Sequence, residues 1–178
     1  MDPVLDMTAR AALALLFVVA AGHKLRDPGR FRSTLAEYRL LPDVLTPLAA
    51  ALVVAVELAV AAALAVPPLR TPGLVSAAAL LLGYAAAIGI NLARGRRDLD
   101  CGCAGPAVRR PISGWLVARN VALAGVALAG LLPVRPRALV WVDATTVAGG
   151  TAVLAALYAS LDRMIAHAPG LARLRVRA

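Results

Sequence analysis

Apolar runs alternate with short polar breaks along almost the whole chain. Residues 8–25, 48–66, 74–92, 115–132 and 138–161 are the five runs long enough to cross a bilayer, which takes about 20 apolar residues. An open strand in lipid would leave its backbone groups unpaired, so each run is expected to be a helix. The predicted class is all-α: a polytopic transmembrane bundle with a four-helix core and a fifth span. The last run is the least regular, because it contains Asp143, Gly149 and Gly150. The first run holds only if Arg10 and Lys24 snorkel outward. It lacks a basic n-region and a small-residue cleavage site, so it is expected to be retained.

Between the first two runs the pattern changes. Asp27-Pro28 reads as a cap followed by a first helical residue. Phe31, Leu35 and Tyr38 then share one helix face, as in a helix lying at the membrane surface or a solvated connector. Residues 67–73 form a breaker-rich turn, residues 94–114 a polar loop, and residues 163–178 a basic tail. Residues 1–162 are expected to form one transmembrane domain.

Composition narrows this further. Of 178 residues, 61% are hydrophobic, 16% are charged and 4% are aromatic. The net charge of +9 sits between apolar runs rather than beside aromatics, which argues against nucleic acid and for loop-charge asymmetry. With five spans, the first loop, the third loop and the tail share one side, and with Lys24 and Arg119 just inside the adjoining runs that side carries fifteen of the nineteen Lys and Arg residues. The expectation is a cell (inner) membrane protein with its N-terminus outside and residues 94–114 in the cytoplasm.

That loop holds both cysteines, Cys101 and Cys103. Three readings stay open. As a redox pair, their thiolates would be favoured by nearby arginines, and Gly102 would permit a small, strained and easily reduced ring. As a soft-metal site they would suit Cu(I). As inert small residues they would do neither. Polar residues at span ends converge on the same side: His23, Lys24, Asn91, Arg119 and Asn120. Such residues are expensive in lipid and tend to face a bundle interior. Glu57 lies about 13 Å inside its run, with Lys24 or Arg119 as partner. It either locks the bundle or handles protons or substrate. A lone His23 lacks the companions that a metal site requires.

Six segments in order carry a resemblance: Gly22-His23-Lys24-Leu25-Arg26-Asp27-Pro28; Tyr38-Arg39-Leu40-Leu41-Pro42; Glu57; Asn91-Leu92-Ala93-Arg94-Gly95-Arg96; Asp100-Cys101-Gly102-Cys103-Ala104-Gly105; and Arg119-Asn120. Over residues 9–132 the chain resembles the methylamine-utilisation MauE family, within a DoxX-like group of small membrane bundles. It departs at Ala104, where the family often has an aromatic.

The resemblance implies an inner-membrane protein that supports maturation of an exported, disulfide-rich amine dehydrogenase subunit, together with a thioredoxin-like partner. Cys101 and Cys103 would exchange electrons, with Lys24, Arg96, Arg97 and Arg119 stabilising thiolate or docking the partner. Glu57, Asn91 and Asn120 would complete the polar cluster. No cofactor is implied. A non-enzymatic scaffold or small-molecule carrier built around Glu57, and Cu(I) handling, are the alternatives. An exported client acquires its disulfides outside, whereas the charge bias puts the cysteines inside. Either electrons are relayed across the membrane, or the arginines do not report orientation.

Overall fold

The computed structural model describes residues 1–101 and 111–175, with side chains described for 1–101, 111–161 and 164. Among the described residues six α-helices follow in order: α1 (Pro3–Arg26), α2 (Pro28–Glu37), α3 (Thr46–Ala65), α4 (Arg70–Ala93), α5 (Gly114–Ala129) and α6 (Trp141–Arg175). Among the described residues, four segments are long and apolar enough to cross a membrane: Pro3–Arg26, Asp43–Ala65, Pro67–Ala93 and Trp141–Leu161. The protein is a multi-pass helical membrane bundle.

Local chemistry sets the ends. Asp2 caps α1 by accepting from the Val4 N–H at 2.8 Å. Asp27 does the same for α2, accepting from Arg30 N–H at 3.0 Å, with Pro28 in the first helical position. At the end of α4 the N–H of Gly95 donates to Leu92 and that of Arg96 to Asn91, each at 3.0 Å. This is a Schellman closure, and it requires the left-handed φ of +76° at Gly95.

The core is α1, α3, α4 and α5. One apolar cluster joins Leu13 and Phe17 of α1, Val60, Ala61 and Leu64 of α3, Leu74, Ala77 and Leu81 of α4, and Ala124 and Ala127 of α5. Gly73 marks the closest approach: a Cβ there would lie 3.0 Å from backbone atoms of Ala63 and Leu64. The long helix α6 leans on α1, where Gly150 meets Thr8.

Three expectations change. Arg10 and Lys24 do not snorkel outward; both are buried. Each has a carboxylate to face: Asp6 at 3.3 Å for Arg10, and Glu57 for Lys24. The run expected at 115–132 is helical only to Ala129, giving 16 residues, or about 24 Å. There the Arg70 guanidinium closes the helix: it donates to the carbonyls of Gly130 and Leu132 and to Asp6 Oδ1 at 2.9 Å. The described helix α6 continues to Arg175, through the first part of the expected tail.

This end of the bundle is knitted by further contacts. The N-terminal amine donates to Pro133 at 2.6 Å, and Arg137 joins Asp2 at 3.3 Å to Asp143 at 2.7 Å.

Candidate functional site

The opposite end carries the polar chemistry. On α1, residues Asp6, Arg10, Leu13, Phe17, Ala21 and Lys24 form one buried stripe at helical spacing. The last of them, Lys24, turns its ammonium into the bundle. Its Nζ lies 2.6 Å from Glu57 Oε1 on α3, and Glu57 is completely buried. Tyr84 of α4 donates its hydroxyl to the same oxygen at 2.7 Å. The ring centroids of Phe31 and Tyr84 lie 5.3 and 5.6 Å from Lys24 Nζ, within cation–π range. Glu57 Oε2 is buried and accepts no hydrogen bond among the described residues.

Removing two charges from water is expensive, and their attraction offsets this only with good geometry and added hydrogen bonds. Here one carboxylate oxygen collects the ammonium and the phenol, while two ring faces surround the cation.

A second polar pair lies where α4 ends. Asn91 is fully buried; its Nδ2 donates to Ala87 at 3.1 Å, and its Oδ1 accepts from Arg96 Nη1 at 3.0 Å. The Schellman closure explains this, because it folds the chain back so that Arg96 returns over the last turn. Asn120 is buried and donates to Leu116, one turn earlier on its own helix, at 2.8 Å. Arg119 stacks on Tyr158 of α6 at 5.6 Å.

The expected polar cluster therefore divides. Lys24 joins Glu57 and Asn91 joins Arg96, while Asn120 bonds its own helix and Arg119 faces α6. Of the two partners considered for Glu57, the structure selects Lys24. Arg97 is exposed and His23 half-buried.

Cys101 sits at the neck of the loop. Its neighbour Asp100 bridges Pro111 across the loop, and the Ile112 N–H donates to Leu99 at 2.9 Å. Leu99 and Ile112 are buried with Tyr38, Ile88 and Leu116, and Cys101 packs against this cluster, half-buried. Both ends of the loop are thus plugged into the bundle between α4, α5 and the segment after α2. Cys103 lies outside the described residues.

Beside the neck is a polar pocket of about 160 Å³, lined by Arg30, Ser33, Thr34, Glu37, Asp98, Asp100 and Pro111. Arg30 crosses it to Asp100 at 2.7 Å.

The sequence reading missed Tyr84, Arg30 and the Asp6–Arg10–Arg70 cluster. Tyr84 had a signal: it lies seven residues before Asn91 and so on the same face of α4. Arg30 and Asp100, 70 residues apart, had none.

A mid-span acid paired to a lysine inside a helical bundle, with a cysteine-bearing loop anchored at one end, defines a small polytopic membrane protein with a polar interior. The chain belongs to the MauE family: the model described as "Methylamine utilisation protein MauE" matches residues 2–133. The chain is 44% identical over 163 residues to the methylamine utilization protein MauE of Paracoccus denitrificans, covering 90% of this chain and 88% of that one. It is 36% identical over 170 residues to the MauE protein of Methylophilus methylotrophus, covering 92% and 87% respectively. No solved structure matches the chain.

Proposed function

We propose that this protein is a thiol-redox component of methylamine utilisation. In this reading it resides in the inner membrane and supports maturation of an exported amine dehydrogenase subunit. The observation that carries the proposal is the anchored neck at Asp100 and Pro111, which holds Cys101 at the bundle end beside a polar pocket in a chain of the MauE family.

Cys101 and Cys103 are the exchanging pair. A thioredoxin-like dithiol attacks their disulfide through a mixed disulfide. It passes two electrons and its two thiol protons, becoming a disulfide itself and leaving Cys101 and Cys103 as thiols. In the reverse exchange the two thiols reduce the next disulfide of a relay toward the exported client, and Cys101 and Cys103 return to the disulfide. Arg96 and Arg97 supply the positive field that favours thiolate. The half-buried position of Cys101 limits access to a partner shaped for the neck. The excess of basic residues in the first loop, third loop and tail supports a cytoplasmic orientation of this end.

The test is complementation of a Paracoccus denitrificans strain lacking its own MauE, scored by growth on methylamine. The wild-type chain restores growth. Cys101→Ser and Cys103→Ser each abolish it while the protein still accumulates in membranes. Full activity of both variants rules out the thiol mechanism.

A further inference from the structure

The geometry points to a binding site for small primary ammonium ions, formed by Glu57, Tyr84 and Phe31 and held closed by Lys24 as a tethered occupant. The site is built from buried groups. Glu57 is fully buried at mid-span, its Oε1 already accepts two hydrogen bonds, and its Oε2 accepts none among the described residues. Two aromatic faces stand within 6 Å of the cation.

This is the chemistry by which proteins recognise ammonium groups in general: a carboxylate for charge and N–H direction, and ring quadrupoles for the rest of the cation. The walls belong to α2, α3 and α4, whereas the cation belongs to the last turn of α1. The lysine therefore occupies a receptor whose walls come from other elements.

Entry is on the α2 side. Phe31 is half-buried, and α2 joins α1 through the single non-helical residue Asp27. A ligand reaching Glu57 displaces the Lys24 ammonium and moves Phe31 with it. The cage also sets the ligand's chemistry. A primary ammonium offers the same three N–H donors as lysine. A quaternary ammonium has none for Glu57. A divalent metal would find one carboxylate and a phenol, short of the six or more oxygens that hard cations take. In the wild type the tether competes at an effective concentration in the millimolar range or higher, so a free amine binds weakly.

The experiment uses the full chain purified in detergent. Lys24→Ala deletes the atoms of one propylammonium. The expected result is saturable binding of radiolabelled methylammonium to Lys24→Ala, at least about tenfold tighter than to wild type, because the tethered competitor is gone. Propylammonium should compete for this binding and raise the thermal midpoint of the variant with concentration. Tetramethylammonium and potassium at equal ionic strength should do neither, and Lys24→Ala/Glu57→Gln should lose both effects.

Equal binding by wild type and Lys24→Ala overturns the proposal, as does binding that survives in the double variant. If Lys24→Ala folds only in cells supplied with propylammonium, that rescue supports the site; failure to fold with and without amine counts against it. No readout involves a thiol, so the outcome is separate from that of the redox reading.

Discussion

Replacing Lys24 by methionine leaves the Glu57 carboxylate in the bundle interior with only the Tyr84 hydroxyl on Oε1 and no described partner on Oε2. The methylenes of Lys24 are roughly replaced in volume, so the change isolates the charge. Removing one partner of a buried ion pair costs about 3–5 kcal/mol, because the other charge stays desolvated. Glu57→Met strands the lysine instead and should cost a similar amount. The double variant Lys24→Met/Glu57→Met removes both charges and both desolvation terms, and should return to within about 1–2 kcal/mol of wild type, since apolar replacements of buried pairs are often neutral or better.

The expected coupling is therefore at least about 3 kcal/mol, well above the roughly 0.5 kcal/mol scatter of independent sites. At about 2–4 °C per kcal/mol for a chain of this size, each single variant should lose about 6–20 °C in thermal midpoint and the double variant should recover most of it. Thermal unfolding in detergent, followed by tryptophan fluorescence, measures all four proteins. Additive losses would refute the pair as the element that locks α1 to α3.

Four further outcomes follow from other contacts. Gly95→Ala forces a side chain into a left-handed conformation and should cost about 1–2 kcal/mol in the same assay, with release of the Arg96–Asn91 contact visible as faster amide exchange in the last turn of α4. Gly73→Ala would press a methyl group against the backbone of Ala63 and Leu64 and should cost about 1–3 kcal/mol, whereas Gly83→Ala, which meets no neighbour, should be close to neutral. Arg30→Ala removes the ion pair across the loop neck and should speed alkylation of Cys101 in a Cys103→Ser background, measured by mass spectrometry. The Val4 N–H, aided by Arg137, holds the Asp2 carboxyl below its ordinary 3.8. A depressed carboxyl contributes stability that is complete above the ordinary value and lost as pH falls through the folded one. Amide exchange at Val4, corrected for intrinsic rates, should therefore be flat from pH 7 to about 5 and rise only below 3.8.

The helices were legible because apolar run length is a direct consequence of bilayer thickness. The start of α2 at Asp27-Pro28 was legible because the cap and the first-turn proline are local chemistry. The Lys24–Glu57 pair was half legible: an acid at mid-span demands a cation, and two were in reach. What the sequence did not disclose is direction. Lys24 and Arg10 each had a way outward by snorkelling and a way inward by pairing, and only the positions of Glu57 and Asp6 across a helix interface decide between them. The Arg30–Asp100 contact depends on where the loop neck returns between α4 and α5, which no local pattern records. The cysteines announced themselves by spacing, but the Leu99–Ile112 plug beneath Cys101 is a tertiary feature.

Thiol labelling in cells reports both what Cys101 does at that neck and which side of the membrane it faces. Spheroplasts of cells making the chain are treated with a membrane-impermeant maleimide, before and after permeabilisation, each with and without prior reduction by a phosphine. A cytoplasmic redox pair predicts no labelling of Cys101 in intact spheroplasts, labelling after permeabilisation, and a marked rise in that labelling once reductant is supplied. Labelling in intact spheroplasts would contradict the cytoplasmic orientation, and labelling unchanged by reductant would contradict a redox-active pair at Cys101 and Cys103.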